Sequence, residues 1–245
     1  MTKVLIYSAI AGLSLFFGAY LGMLLRLKQK TIAGIMAFGS GVLICALTFG
    51  LMDEAFRVGG FDAVISGFLL GGVVYILGDY LIHKFGGRSH KKHQHIFTNE
   101  HSDSNGTAIT FGAFLDGVPE SIALGVAIFA GKELGLLMVV AIALSNFPEG
   151  ISSVKGLLKE GYSRAQILFI WGLAAIFTVL VAYSSYLLLH DLGGDSLGAL
   201  QSFAAGAILA MLADTMMPEA YEDGGFVIGM LTVFGFVVAF IIQKI

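Results

Sequence analysis

The sequence contains little charge, few prolines and almost no cysteine. Only 13% of its 245 residues are charged, whereas 57% are hydrophobic, and the mean hydropathy is +0.86. A soluble domain of this size cannot bury so much apolar surface. The single cysteine, Cys45, excludes a disulfide framework and a cysteine-based metal cluster. The small net charge of -3 argues against a nucleic acid as partner.

The hydrophobic residues occur in blocks, and each block is close to the roughly 20 residues that cross a bilayer core as a helix. The pattern predicts an all-α polytopic membrane protein with eight transmembrane helices, built as a single domain over residues 1–245 in the lipid bilayer. The blocks run roughly from Val4 to Leu25, Ile32 to Leu51, Ala63 to Ile82, Ala108 to Ala130, Leu134 to Val154, Ile167 to Leu189, Leu197 to Met217 and Phe226 to Ile242.

The basic residues predict the orientation of this bundle, because connections rich in Lys and Arg tend to stay in the cytoplasm. They concentrate after the first, third and fifth blocks, for example at Arg26, Lys91 and Lys155. Those connections are predicted to be cytoplasmic, with both termini outside. The start of the chain is not rich in Arg and Ser, which favours a plasma (inner) membrane over an organelle.

Two pairs of blocks resemble each other in opposite directions. Residues 38–56 match residues 203–221 at several Phe, Gly, Leu, Met, Glu and Ala positions, and residues 115–122 match residues 144–151. The pattern predicts inverted repeats in a three-two-three arrangement, which is typical of transporters with a site between the repeats. Chance matches between segments of similar apolar composition are the alternative.

Each proline is followed directly by glutamate. A proline inside a helix removes one hydrogen bond and displaces the carbonyl four residues earlier. Freed carbonyls in a membrane are tolerated only where they face protein or a wet cavity. A carboxylate in the bilayer interior costs at least ~2.5 kcal/mol, which makes Glu120 and Glu149 functional candidates. The three pairs are Pro119-Glu120, Pro148-Glu149 and Pro218-Glu219.

Helical spacing adds further oxygen ligands to these two glutamates. Asp116 lies one turn before Glu120, Ser145 lies one turn before Glu149, and Asn146 is next to Ser145. Unpaired carboxylates at close range repel or take up protons, whereas a divalent cation satisfies them together. These five residues are therefore the predicted metal site. A proton-sharing carboxylate pair that only ties two helices together is the alternative.

Further candidates lie nearer the cytoplasmic side. Asp214 and Glu219 are predicted as an entrance or secondary metal site. Residues 84–107 form a polar, flexible cytoplasmic loop, in which clustered imidazoles can capture transition metals. A solvated basic loop that only sets topology is the alternative. The loop histidines are His90, His93, His95 and His101.

With these motifs the chain resembles the ZIP family of zinc and iron transporters over its whole length. The family's typical motifs, His-Asn-x-Pro-Glu-Gly in span four and His-x-x-Pro-Glu-Gly in span five, match at the Pro-Glu pairs. The resemblance implies that Glu120 and Glu149 bind metal, with Asp116 and Ser145 at the histidine positions and Gly117 and Asn146 just after them. It also implies a homodimer and an alternating-access movement.

The combined expectation is a transporter that moves a divalent cation into the cytoplasm, with zinc, iron, manganese, cobalt or cadmium as substrate and no prosthetic group. Oxygen ligands without thiolate suit hard or borderline cations. An enzyme is not expected, since the sequence has no His-Glu-x-x-His motif. A proton-coupled carrier of a small solute and a passive cation channel remain alternatives.

Overall fold

A computed structural model describes residues 1–25, 27–85 and 106–244 of the chain. All regular structure among these residues is helical, and they contain no strand, which confirms the all-α prediction. Most of the predicted loop over residues 84–107, including His90, His93 and His95, lies outside the described residues.

The described residues form helices α1 to α9, with two π-helical segments and one short 3-10 turn between them. The α-helices are α1 (Thr2–Leu24), α2 (Gln29–Cys45), α3 (Asp53–Phe85), α4 (Gly106–Ala130), α5 (Lys132–Lys159), α6 (Arg164–Leu188), α7 (Gly194–Met211), α8 (Met217–Gly224) and α9 (Val227–Lys244). The π-helical segments are Ala46–Met52, after α2, and Leu212–Met216, after α7; the 3-10 turn is Leu189–Asp191.

Six helical stretches among the described residues are long and apolar enough to cross a membrane. One of them, Gln29–Leu81, has 53 residues. As continuous helix it would measure about 80 Å, more than twice the ~30 Å core of a bilayer. This stretch is therefore too long for a single crossing. The six stretches do not include α4, and the eight-span count and the three-two-three repeat stay predictions.

Two glycines interrupt the helices at related places. Gly60 breaks α3 with φ 68° and ψ -172°, and Gly225 separates α8 from α9 with φ 73° and ψ -155°. Glycine adopts positive φ without the steric penalty that a Cβ brings. Each break follows a π-helical segment, Ala46–Met52 in one case and Leu212–Met216 in the other. Both π-helical segments lie inside the two sequence stretches that resemble each other.

The helices divide into three groups by their packing. The first group contains α1, α4, α5 and α6, the second contains α3 and α7, and the third contains α2, α8 and α9. The most extensive contacts, α3 with α7, α1 with α5 and α2 with α9, all lie within a group. The first group meets the second chiefly where α4 packs on α7, and it meets the third chiefly where α2 packs on α5.

Glycines bring α3 and α7, and likewise α2 and α9, into backbone contact. Gly206 of α7 faces the carbonyl oxygen of Phe68, and Gly41 of α2 faces the carbonyl oxygen of Thr232 in α9. Small residues at such contacts let membrane helices approach closely, so that packing and dispersion hold them together. Both helix pairs run parallel. Along α3 and α7, for example, Gly59 lies beside Gly198, and further along both helices Phe68 lies beside Gly206.

The outward faces of the bundle carry large apolar side chains. Leu69, Phe169, Met230 and Phe234 are each more than half exposed. In water these side chains would form an apolar patch far larger than soluble monomers carry. A lipid environment removes this cost, because lipid chains are themselves apolar.

Candidate metal site

The five predicted ligands are buried polar side chains on α4 and α5. All of them are less than one-tenth exposed. The exposed fractions are 6% for Asp116, 2% for Glu120, 0% for Ser145, 3% for Asn146 and 8% for Glu149.

The prolines place this polar cluster where other helices approach. Pro119 lies inside α4 and Pro148 lies inside α5. Pro148 cannot bond the carbonyl of Leu144, one turn earlier. That carbonyl oxygen faces α2, since a Cβ on Gly39 would lie 2.9 Å from it. The freed backbone carbonyl is therefore covered by protein, as a membrane interior requires.

Ser145 joins the two helices at the centre of the site. Its hydroxyl donates a hydrogen bond to Oε1 of Glu120 across 2.7 Å. Oε2 of Glu120 is buried and has no hydrogen-bond partner among the described residues. A buried carboxylate oxygen without a partner is costly unless a proton or a cation satisfies it. The structure thus presents one open oxygen ligand at the contact between α4 and α5.

Asn146 is oriented differently from its neighbour Ser145. Its side-chain nitrogen donates to the backbone carbonyl of Ala11, on α1, across 3.2 Å. The amide is therefore tied to α1. The predicted role of Asn146 as a ligand stays a prediction.

Asp116 is held by a residue that sequence reasoning missed. The hydroxyl of Tyr75, on α3, donates to Oδ1 of Asp116 across 2.5 Å. Thr215, in the π-helical segment after α7, also brings its hydroxyl to Asp116 and Tyr75. The sequence does contain a signal that Tyr75 lies near an acidic site, because it lies one helical turn before Asp79 inside an apolar block.

Several carboxyl groups lie around Asp116. The carboxyl groups of Asp79 and Glu219 lie near enough for their charges to act on it. Glu149 in turn feels the charges of Asp116, Glu120 and Glu219. Four helices, α3, α4, α5 and α8, therefore contribute acids to one buried region.

The acids do not form a finished metal centre in this conformation. Among the described residues, no three His, Cys, Asp or Glu side chains converge closely enough to hold one ion. The carboxyl groups therefore lie near one another without surrounding a common point. Asp116 and Glu120 each accept a hydrogen bond from a hydroxyl on another helix.

The two secondary candidates after α7 differ in their placement. Asp214 is exposed on the π-helical segment, whereas Glu219 is partly buried and lies near Asp116 and Glu149. Helical spacing alone did not separate these two residues. Asp214 lies on the π-helical segment and Glu219 on α8.

Comparison with known proteins gives relatives but no matching family model. A putative zinc transporter of Arabidopsis thaliana is 27% identical over 197 residues, which are 78% of this chain and 30% of that protein. The zinc transporter ZupT of Enterobacter sp. (strain 638) is 26% identical over 231 residues, covering 91% of this chain and 88% of the relative. ZupT of Salmonella newport (strain SL254) is 27% identical over 232 residues, with the same coverage.

These relatives confirm the resemblance to ZIP-family transporters that the Pro-Glu motifs predicted. The chain spans 30% of the length of the Arabidopsis protein and 88% of the length of the two ZupT proteins. The similarity and the long apolar helices together indicate an integral membrane protein.

Proposed function

We propose that this protein carries a divalent metal cation across the membrane through the carboxylate cluster of α4 and α5. The observation that carries the proposal is the buried Glu120, whose Oε1 is held by Ser145 and whose Oε2 has no partner among the described residues. The relatives named zinc transporters support the same function and make zinc the first cation to test.

The arrangement suggests how a cation is accepted. Oε2 of Glu120 makes the first contact, and the carboxyl groups of Asp116 and Glu149 lie near enough for their charges, once they are ionised, to draw the cation inward. As water leaves the cation, the carboxylates of Asp116 and Glu149, the hydroxyl of Ser145 and the amide of Asn146 replace it. A ligand set made only of oxygen atoms accepts zinc, iron, manganese, cobalt and cadmium with small differences.

The open arrangement of the acids fits a carrier. A transport site must bind its ion firmly enough to accept it and weakly enough to release it. Ligands that gather around the ion only when it arrives meet this need, because part of the binding free energy is used to reorient them. The separated carboxyl groups of the described conformation are consistent with this sequence of events.

The finer parts of the proposal concern direction and assembly. The cation moves into the cytoplasm of a cell in whose plasma (inner) membrane the protein lies with both termini outside, as a homodimer. The histidines of the loop over residues 84–107 receive it. Eight spans in a three-two-three inverted repeat build the carrier, and the matched π-helical segments and glycine breaks support that arrangement.

The test is metal uptake by purified protein in proteoliposomes. We expect saturable uptake of one or more of Zn²⁺, Mn²⁺, Fe²⁺, Co²⁺ and Cd²⁺ by the native chain. Glu120→Gln and Glu149→Gln remove one negative charge each at nearly constant shape. Both should reduce uptake at least about tenfold, because a metal ligand is replaced by a weaker neutral one.

Glu133→Gln is the matched control, since Glu133 is an exposed acid in the first turn of α5. It should keep native uptake, and all three variants should keep a native elution profile in detergent. Uptake that survives both buried substitutions would remove the site from the transport path. Uptake without saturation would favour a channel, and uptake of a small solute driven by a proton gradient would favour a proton-coupled carrier.

A further inference from the structure

The two hydroxyl-to-carboxylate hydrogen bonds of the site connect different parts of the bundle. Ser145 and Glu120 lie on α5 and α4, which belong to the same helix group. Tyr75 and Asp116 lie on α3 and α4, which belong to different groups. The second bond therefore joins the pair of α3 and α7 to the group of α1, α4, α5 and α6 at the level of the site.

The surroundings of Tyr75 make this bond specific. Tyr75 is 4% exposed, so its phenol is enclosed by protein. One turn further along α3, Gly78 packs beside α4, because a Cβ there would lie 3.5 Å from a methyl carbon of Leu115. One turn earlier, Gly71 lies against the backbone of Phe203 on α7. The phenol is thus carried by a helix that is anchored to α7 and only lightly packed on α4.

The bond and the metal compete for Asp116. Oδ1 of Asp116 accepts a hydrogen bond from the Tyr75 hydroxyl across 2.5 Å. In this orientation Asp116 forms no closed group with other acids among the described residues. Because no three acids converge in this orientation, Asp116 would have to turn to share a cation with Glu120, and a turn away from Tyr75 would break this hydrogen bond.

We propose that Tyr75 is a positioning residue that holds Asp116 toward α3 and thereby weakens metal binding at the transport site. This inference rests on the proposed function, because it assigns Tyr75 a part in filling that same site. Removing the phenolic hydroxyl frees Asp116 to turn toward Glu120. The cation then binds more tightly, and its release becomes slower.

The test compares native protein with Tyr75→Phe, which removes only the hydroxyl. Uptake of Cd²⁺ into proteoliposomes gives KM and the maximal rate, and electron paramagnetic resonance of Mn²⁺ gives the dissociation constant without transport. We expect KM and the Mn²⁺ dissociation constant to fall about three- to tenfold, in keeping with the usual net contribution of one competing hydrogen bond. The maximal rate should fall as well, since release is slower.

A double-mutant comparison separates this role from a purely structural one. In an Asp116→Asn background the Tyr75→Phe substitution should change neither constant, because the charged partner is gone. Tyr20→Phe, at an exposed position of α1, should behave as native in all assays. Unchanged or weaker Mn²⁺ binding by Tyr75→Phe would overturn the inference, and so would an equal effect in both backgrounds.

The two assays also separate this inference from the proposed function. If the native protein takes up Cd²⁺ and Tyr75→Phe has no effect on KM, only the inference fails. If the native protein binds Mn²⁺ but transports no cation, the proposed function fails, while the Mn²⁺ dissociation constants still decide the role of Tyr75. If it binds no Mn²⁺, the inference fails together with the site.

Discussion

At the scale of the residue, the hydroxyl of Ser145 determines how Glu120 presents its carboxylate. It donates to Oε1 and leaves Oε2 open. Hydrogen-bond partners that orient a metal ligand typically contribute 10- to 100-fold to affinity, roughly. We therefore expect Ser145→Ala to raise the KM for metal uptake at least about tenfold, measured by initial rates in proteoliposomes.

Ser153 provides the control on the same helix. It is as deeply buried as Ser145, but its hydroxyl bonds the carbonyl of Gly150 in its own helix and reaches no carboxylate among the described residues. Ser153→Ala should leave KM within about twofold of native, because a bond of this kind contributes little net free energy. Equal KM values for the two alanine variants would show that Ser145 neither orients Glu120 nor binds the cation.

At the scale of the element, the glycine contact between α3 and α7 sets how closely these helices approach. A Cβ on Gly206 would overlap the carbonyl oxygen of Phe68. We expect Gly206→Ala to lower stability by about 1–3 kcal/mol, which is the usual cost of overpacking. In a chain of this size the midpoint of thermal unfolding should fall by roughly 2–10 °C, measured in detergent by intrinsic fluorescence.

Gly229 is the comparison for this substitution. It lies in α9, and a Cβ there would meet no atom within 4 Å. Alanine favours helix by up to about 1 kcal/mol over glycine, so Gly229→Ala should be neutral or stabilising. A native midpoint for Gly206→Ala, or a matching loss for Gly229→Ala, would contradict the close approach of α3 and α7.

At the scale of the whole molecule, the distribution of basic residues predicts which side of the membrane each connection faces. The only cysteine, Cys45, is buried, and Cys45→Ser gives a background without thiols. Single cysteines at two exposed positions, Glu160→Cys after α5 and Asp195→Cys at the start of α7, then report the two faces. The reagent is a membrane-impermeant maleimide applied to intact cells.

We expect Asp195→Cys to react in intact cells and Glu160→Cys to react only after the membrane is opened. The reason is that Lys155, Lys159 and Arg164 flank position 160, and such connections stay cytoplasmic. The reverse pattern would place both termini inside the cell and contradict the proposed orientation of the protein in the membrane. Reaction of both positions in intact cells would place the two connections on one face.

How much of this protein was predictable depends on the range of the interactions involved. The all-α membrane architecture follows from local composition, because each apolar block satisfies its own backbone hydrogen bonds as a helix in lipid. The burial of Glu120 and Glu149 was predictable for a similar reason. A carboxylate beside a proline in an apolar block is costly whichever helices pack against that block. The sequence alone therefore reveals it.

The interruptions inside the helices were not predicted. The π-helical segments Ala46–Met52 and Leu212–Met216 carry no proline that would announce them, and the break at Gly60 falls within a longer helix. Their position depends on how neighbouring helices pack on them. Local propensity cannot supply that information, because an α-helix of the same sequence makes equally good local hydrogen bonds.

The sequence by itself therefore determined that this is a helical membrane protein with carboxylates buried beside prolines, since both properties are set within single segments. Only the tertiary structure decided which distant groups meet those carboxylates. Tyr75 reaches Asp116 across 41 residues of chain, and Asn146 reaches Ala11 across 135. Such contacts depend on the angles and distances at which helices pack, and these are set by side chains on several helices at once.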